Sequence, residues 1–324
     1  MTETKRGTSV TRSRTLSDWT VNVPPYGCDG AVTGSDAGRT YVPMPDFAGT
    51  DTFTYQVTDS IGTSNTATVT IDVQNVNDAP ALAVATSYTV SLGDTLTFVA
   101  VGSDVDIPVQ TLSYGLSGAV PVGATINPAT GVFTWTPTAA QSGASHAFNV
   151  TVTDGVASTS VAVVVSVTGP LGMERDVLDR ITLLRQGVTD RSDRKILDDI
   201  IEDLSEAVQS QYWVDASHLD PKKGDKVFDE DKQAVHELVR LKREGHSAIP
   251  DALLQGFIDQ LVKATRLLAE TAIGDAVAAG GDPRDIAKAN ADLAEGNQDA
   301  ALGRPDKAIE DYGAAWRRAL GAVK

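Results

Sequence analysis

Residues 79–168 contain no Lys, no Arg and no Glu. Their only carboxylates are Asp94, Asp104, Asp106 and Asp154, and the last three stand in a D-V-D pair and at the end of the strand-like run V-T-V-T-D-G. No basic side chain of this segment is available to neutralise them. The pattern predicts a cation site made of oxygen ligands. Calcium is the natural candidate, because it takes six to eight oxygens at about 2.3–2.6 Å in flexible geometry.

The charge of the chain changes in character after residue 168. Residues 1–78 carry 5 basic and 9 acidic side chains and residues 79–168 carry 0 and 4, whereas residues 169–324 carry 22 and 30. This shift indicates a domain boundary. The net charge of −16 argues against nucleic acid or an anionic membrane surface as the main partner. With Cys28 as the single cysteine, the chain cannot form an internal disulfide.

The first 168 residues show the alternation of β-strands. Residues 52–57 and 66–73 alternate with a period of two and are separated by Gly, Asp and Ser. Turn signals about every 8–12 residues in the second region predict a Greek-key sandwich. Its strand-like runs are 87–90, 95–101, 110–114, 131–136, 146–153 and 158–167. The run T-F-T-Y-Q-V-T-D recurs as A-F-N-V-T-V-T-D, which indicates a repeat of strand, T-D turn and terminal strand.

The last 150 residues have helical periodicity. Short turns between the apolar stripes predict a helical bundle or a pair of helical hairpins. Ser192 is a candidate N-cap, and Pro283 and Pro305 stand at first-turn positions. The predicted helices are 173–187, 194–212, 229–244, 250–279, 283–302 and 305–323. The fold class is therefore multidomain all-β plus all-α, with tandem Greek-key sandwiches followed by a helical bundle.

A known family of modules shares the motifs of residues 79–168. N-V-N-D-A-P, S-D-V-D, L-S-Y-G-L, P-V-G-A-T-I-N-P-A-T-G-V-F-T-W-T-P and F-N-V-T-V-T-D-G follow one another in that order. This series resembles the bacterial immunoglobulin-like modules related to dystroglycan-type cadherin-like domains. The resemblance covers nearly all of the segment and implies an Ig/cadherin-like β-sandwich.

The regions on either side resemble known modules over shorter stretches. G-R-T-Y-V-P-M-P-D-F-A-G-T-D-T-F-T-Y-Q-V-T-D is similar to the C-terminal half of a bacterial cadherin-like repeat. Residues 1–17 are too few and too polar to supply its remaining strands, so we expect an N-terminally truncated domain. The last two helices resemble one tetratricopeptide hairpin. The predicted domains are 1–78, partial cadherin-like; 79–168, β-sandwich; 169–173, linker; and 174–324, helical bundle with a TPR-like hairpin.

The resemblance also implies the ligands of the cation site. In cadherin-like joints the linker Asn/Asp, the D-x-D turn and the Asp after the penultimate strand meet at one pole of the following domain. Carried over to this sequence, they are Asn77, Asp78, Asp104, Asp106 and Asp154. The alternative interpretation is that these acids only cap turns, as Asp commonly does.

The sequence contains few other candidate sites. Trp135 is expected in the sandwich core, with sugar stacking as the alternative. The loop 220–231 resembles an EF-hand but has Lys222 at the third position and Asp225 where Gly belongs. The four His residues show no metal spacing. No nucleophile elbow, phosphate loop or dinucleotide fingerprint is present, so we expect no enzyme.

These observations favour a calcium-binding structural or adhesive stalk module of a bacterial surface or secreted protein. Its partners would be calcium and a cell-surface protein or glycan. The sequence shows no signal peptide and no transmembrane segment. One alternative is a carbohydrate-binding accessory module, which an exposed aromatic platform would favour. Another is a helical scaffold, which a surface groove around Tyr212, Trp213 and Trp316 would favour.

The helical part alone provides a first test. We expect residues 174–324 to fold without the β regions, because about 150 residues suffice for a single core. Circular dichroism should show a strongly helical spectrum that calcium does not alter. A rise in helicity on adding calcium would mean that the 220–231 loop is an ion site after all. A disordered spectrum would show that the helices need the β regions or a partner.

Overall fold

The computed structural model describes residues 10–12, 20–22, 30–35, 38–58, 62–106, 109–246 and 248–323. Cys28 lies outside the described residues, as does Asp59, the acid of the first T-D turn in the repeat. The first β region forms two antiparallel three-stranded sheets, in the orders β1-β4-β3 and β2-β5-β6. Its strands are β1 (Val10–Arg12), β2 (Thr20–Asn22), β3 (Gly30–Ser35), β4 (Gly38–Pro43), β5 (Gly49–Thr58) and β6 (Ala67–Val73).

The second β region is a sandwich whose larger sheet has the order β11-β14-β15-β8. All pairs in it are antiparallel except β15 with β8, which run parallel. The facing strands form the groups β12-β13-β9 and β10-β7. The strands are β7 (Ala81–Ala83), β8 (Ser87–Ser91), β9 (Leu96–Val99), β10 (Val101–Ser103), β11 (Ser113–Ser117), β12 (Thr125–Ile126), β13 (Val132–Trp135), β14 (Ser145–Thr153) and β15 (Ser158–Thr168).

The sandwich core follows from the alternation of its strands. Successive side chains of a strand point to opposite faces, so every second residue of β14 and β15 is buried. Phe98, Phe133 and Phe148 stack in a row across the two sheets. Trp135 is 1% exposed beside them, which confirms its predicted place in the core. Its indole N–H donates to the carbonyl of Val122.

Two predicted strands differ from the observed ones. The run 95–101 is interrupted at Ala100, whose N–H donates to the carbonyl of Gly131, so that β9 pairs with β13 while β10 pairs with β7. The run 110–114 is also displaced, because β11 begins only at Ser113. Gln110 is used instead in side-chain hydrogen bonds at the end of the sandwich.

Six helices follow the sandwich. They are α1 (Pro170–Gly187), α2 (Arg191–Ala207), α3 (Asp225–Glu244), α4 (Asp251–Ala278), α5 (Pro283–Ala301) and α6 (Pro305–Ala322). Pro283 and Pro305 are at the first positions of α5 and α6, as predicted. Their apolar faces share one core, in which Ile181, Leu197 and Leu238 are fully buried.

The structure corrects two helix starts. The predicted linker 169–173 is wrong, because α1 begins at Pro170, whose fixed backbone angle suits a first helical position. The predicted N-cap Ser192 is also wrong. The side chain of Asp190 accepts the N–H groups of Ser192 and Asp193, since a carboxylate two or three residues upstream reaches these free donors.

The sandwich and the helices share a small core of their own. Leu92, from the turn after β8, is 4% exposed and packs with Met173, Ala264 and Leu267 of the helices. Lys263 pairs with Asp94 across the same boundary at 2.6 Å. Both contacts tie α4 to the turn after β8.

The junction between β15 and α1 has room only for a glycine. A Cβ atom on Gly169 would stand 2.1 Å from Ser142 Oγ of the sandwich and 2.7 Å from the carbonyl oxygen of Ala216. The chain therefore passes from strand to helix with a single residue between them. Among the helices that the structure describes, none combines the length and the apolarity that crossing a membrane requires.

Leu92 provides a test of the shared core. Leu92→Ala should lower the free energy of unfolding of the full chain by about 2–3 kcal/mol, because it removes buried methyl groups and leaves a cavity. Urea unfolding measures this loss. The control Leu183→Ala removes a side chain that is 69% exposed, and should change stability by no more than about 0.5 kcal/mol. Equal effects of the two variants would contradict a packed boundary.

Candidate metal centre

Three chain segments meet at one end of the sandwich. The linker 74–80 enters β7, the D-V-D turn follows β10, and Asp154 follows β14. Strand pairing sets their positions, since Ala81 opposite Ser103 places the linker beside the D-V-D turn. The pairing of Ser113 with Thr153 brings the chain ahead of β11 to the same end. The carboxylates therefore converge although the sequence separates them by up to 50 residues.

Asp104, Asp106 and Asp154 form the centre of this cluster. Each offers one carboxylate oxygen, and these oxygens all lie within 4.8 Å of one another. Asp106 is 4% exposed and the other two are half-buried. Two oxygens that contact one calcium ion can be at most about 5.2 Å apart, since each lies about 2.3–2.6 Å from it. The spacing of the three carboxylates is therefore compatible with one shared cation.

One oxygen of Asp104 has no hydrogen-bond partner. Its Oδ1 accepts the N–H of Asp106 at 2.9 Å, but its Oδ2 is buried and meets no donor among the described residues. Buried polar atoms are nearly always hydrogen-bonded. An unpaired one either binds a ligand or lowers the stability of the fold. This atom lies in the carboxylate cluster, where a cation would satisfy it.

Hydrogen bonds within the cluster favour the ionised form of Asp154. Its Oδ1 accepts the N–H groups of Val156 at 2.6 Å and Ala157 at 2.7 Å, and its Oδ2 accepts the amide of Asn77 at 2.7 Å. The Ala157 N–H, followed by the Asn77 amide and the Val156 N–H, holds the pKa of Asp154 below its usual value of 3.8. Asp154 therefore carries a negative charge at neutral pH.

The linker residues adjoin the three carboxylates through hydrogen bonds. Asn77 directs its Nδ2 toward Asp154, so the amide must rotate before its oxygen can become a ligand. Asp78 is 8% exposed and donates its backbone N–H to Asp106 Oδ2 at 3.0 Å. The structure thus places all five predicted residues at one pole of the sandwich. The carboxylates of three of them, Asp104, Asp106 and Asp154, are close enough together to be ligands of the same ion.

Gln110 is a member of the site that sequence reasoning missed. Its Nε2 donates to Asn77 Oδ1 and to Asp106 Oδ2, both at 3.1 Å. It therefore connects the linker with the D-V-D turn. The signal available in the sequence was a polar residue in a run predicted as a strand.

Asp94 has a different partner. It lies outside the cluster and pairs with Lys263 of α4. No feature of the local sequence points to a lysine that follows 169 residues later.

A second group of possible ligands lies among the helices. Asp190, Asp193 and His246 bring ligand atoms within 4.8 Å of one another, which the sequence spacing did not predict. Asp190 caps α2, and Asp193 accepts the backbone N–H of His246 at 2.9 Å. These contacts account for the closeness of the three residues without a metal ion, because Asp190 caps a helix and Asp193 holds the loop at His246.

The large aromatic side chains of the helices are buried. Tyr212, Trp213 and Trp316 are between 4% and 9% exposed and belong to the helical core. The loop 220–231 also differs from an EF-hand in shape, because α3 already begins at Asp225.

The fold defines a chain of two immunoglobulin-like β regions followed by a helical unit, and comparison with known families agrees. Residues 5–72 match a family described as Bacterial Ig domain, and residues 79–168 match one described as Putative Ig domain. The predicted resemblance and the predicted fold class are thereby confirmed. Such domains indicate a structural or adhesive module, and bacterial ones are typically extracellular or on the cell surface.

The solved structures that match the chain do so at low sequence identity and low TM-score. EC1-2 of human mucin-like protocadherin matches at 13% identity, over 48% of this chain and 86% of that one, with a TM-score of 0.35. EC1-2 of human protocadherin-24 matches at 17% identity, over 46% of this chain and 82% of that one, with a TM-score of 0.33. An endo-fucoidan hydrolase of glycoside hydrolase family 107 matches at 21% identity, over 47% of this chain, with a TM-score of 0.23. The match covers 24% of that enzyme. No curated protein sequence matches the chain.

Titration of Asp154 tests the geometry of the site. In calcium-free buffer, carbon NMR of its carboxyl group should give a pKa below 3.8, and Asn77→Ala should raise it because the variant removes an amide donor. A depressed folded pKa adds stability above the unfolded value, and this stability is lost as the pH falls through the folded pKa. The control Asn65→Ala, at an exposed position, should leave the pKa unchanged. No difference between the two variants would contradict the contact.

Proposed function

We propose that this chain is a calcium-binding structural or adhesive module of a bacterial surface or secreted protein. The observation that carries the proposal is Asp104 Oδ2, which is buried in a cluster of three carboxylates and has no hydrogen-bond partner among the described residues. Residues 79–168 hold no Lys or Arg that could take the place of a cation.

The ligand chemistry favours calcium over other metals. The three central groups are all carboxylates, and they include no His or Cys of the kind that zinc prefers. Two of the three are half-buried and stand in turns, a setting that suits the variable geometry of calcium better than the strict octahedron of magnesium. Extracellular modules typically bind calcium with a dissociation constant of about 0.1–1 mM.

Calcium would act on the joint between the two β regions. The linker already contacts the sandwich through Asn77 to Asp154 and Asp78 to Asp106. A cation shared by Asp104, Asp106 and Asp154 would remove the repulsion between these groups and fix the turns to which the linker is bonded. The joint would then become stiffer, which suits a stalk that holds a binding domain away from a surface.

The described part of the chain gives the alternatives less support. A glycan-binding module would present exposed aromatic rings, but the three tryptophans that the structure describes, Trp135, Trp213 and Trp316, are all buried. Tyr212, Trp213 and Trp316 belong to the helical core, so these rings offer little surface to a scaffold partner. The expectations that the chain is not an enzyme and that its partner is a surface protein or glycan stay predictions.

Thermal unfolding of the full chain tests the calcium proposal. With a dissociation constant of about 0.1 mM, calcium at 10 mM should stabilise the folded sandwich by about 2.7 kcal/mol, because it binds only that state. Asp104→Asn should abolish this gain. The variant should not destabilise the calcium-free chain, since Asp104 Oδ2 has no donor to lose and one negative charge is removed.

The matched control is Asp94→Asn, an acid of the same sandwich outside the cluster. It should lose its pairing with Lys263 and still gain stability from calcium. Magnesium at the same concentration should have a smaller effect. If calcium leaves the melting temperature of the natural chain unchanged, the assignment is wrong.

A further inference from the structure

Two acidic side chains lie side by side in the helical core. Glu174 in α1 and Asp231 in α3 are both 0% exposed. Neither carboxyl group has a hydrogen-bond donor from another group among the described residues. The two are close enough to form a hydrogen bond with each other.

A contact of this kind requires a proton. Two ionised carboxylates have only acceptor atoms, so a hydrogen bond between them exists only when one keeps its O–H. Burial raises the pKa of Glu174 well above its usual value, and the neighbouring Asp231 raises it further. Burial likewise raises the pKa of Asp231. Charged groups without a partner are costly in such surroundings.

The neighbouring charges leave the pair without a counter-ion. On the same helices, Arg175 favours ionisation of Glu174, whereas Glu230 opposes ionisation of Asp231. The strand β15, which contacts α1, carries no charged residue. Basic groups of α1, α2, α4 and α6 have described ion pairs with other acids: Arg185 with Asp198, Lys195 with Asp199, Lys263 with Asp94, Arg266 with Glu270, Lys307 with Asp299, Arg317 with Asp225 and Arg318 with Asp292.

We propose that Glu174 and Asp231 hold a shared proton at neutral pH, and that losing it in alkaline solution loosens α1 from α3. Glu174 directly follows Met173, which packs against Leu92 of the sandwich. The pair therefore lies at the end of α1 that joins the β region, and its ionisation would weaken this junction. The proposal does not depend on calcium binding.

A metal ion explains the pair less well. The acids that come within 4.8 Å of one another in groups of three or more, among the described residues, do not include Glu174 or Asp231. Two carboxylates alone leave most positions around a divalent cation unfilled. A shared proton removes one of the two negative charges and gives the groups a hydrogen bond to each other without further ligands.

The proton has a measurable effect on stability. Both groups have folded pKa values above their unfolded ones, so their contribution is complete below the unfolded values of 4.5 and 3.8 and is lost as the pH rises through the folded values. While the pair keeps one proton that the unfolded chain has released, each pH unit raises the unfolding equilibrium constant about tenfold.

The test compares the natural chain with the double variant Glu174→Gln/Asp231→Asn, in which two amides replace the acid pair. Urea unfolding of the full chain is followed by helical circular dichroism with a calcium chelator present. From pH 6.5 to 7.5 the unfolding constant of the natural chain should rise about tenfold more than that of the variant. Equal rises would overturn the proposal.

Asp203→Asn is the matched control. Asp203 is a half-buried acid of α2, and burial, followed by the charges of Glu230 and Glu202, raises its pKa to about 6. Because this group has largely ionised by pH 6.5, Asp203→Asn should keep the pH dependence of the natural chain above that pH. If it removes the dependence, Asp203 and not the pair is the sensor.

Infrared spectroscopy gives a second measurement that does not require the variant to be stable. At pH 7.5 the natural chain and Asp203→Asn should both show the carbonyl band of a protonated carboxyl group. Either single variant, Glu174→Gln or Asp231→Asn, should lack it, because the amide then supplies the donor. Absence of the band from the natural chain would contradict a shared proton.

Discussion

The absence of positive charge within the sandwich determines how its acids are arranged. Four carboxylates must be accommodated by a domain that contains no Lys and no Arg. Asp94 is paired with Lys263 of the helical unit. The other three lie together at one end of the sandwich, where no lysine or arginine of the domain is present. Their hydrogen-bond donors are backbone N–H groups and the side-chain amides of Asn77 and Gln110. The described residues do not supply enough donors, because none of them reaches Asp104 Oδ2.

The helical unit also contains acidic side chains without a basic partner among the described residues, but it accommodates them differently. Glu174 and Asp231 lie in its core without a basic partner, and a proton between them replaces a counter-ion. An exposed ion pair such as Asp94 with Lys263 contributes only about 0–1 kcal/mol. The buried groups matter more, because leaving a buried charge unpaired costs several kcal/mol. The strand β15 links the two places, since it starts a few residues after Asp154 and continues through Gly169 into α1.

The sequence predicts the features that depend on local pattern. Alternation located β14 and β15 within one residue, and proline located the first residues of α5 and α6. Helix α2 ends before the predicted position because the chain turns back there. The indole N–H of Trp213 donates to the carbonyl of Ala207, and the Tyr212 hydroxyl bonds to Glu206. Periodicity continued through Tyr212 and gave no sign of this turn.

The candidate site was predictable for a different reason. Asn77, Asp78, Asp104, Asp106 and Asp154 stand in motifs, so their types and order indicate their roles. Gln110 belongs to no motif, and its role depends on where strand pairing places it. The contacts of Asp94 with Lys263 and of Glu174 with Asp231 join distant parts of the chain. Such pairs follow from tertiary packing, which periodicity and composition do not describe.

The most direct measurement concerns the stiffness of the joint between the two β regions. Spin labels on Thr54→Cys and Thr97→Cys, in a Cys28→Ser chain, would report the distance between two exposed strand positions by pulsed electron paramagnetic resonance. Calcium should narrow the distance distribution relative to a chelator, and Asp104→Asn should prevent the narrowing. A distribution of the same width with and without calcium would contradict a calcium-stiffened joint.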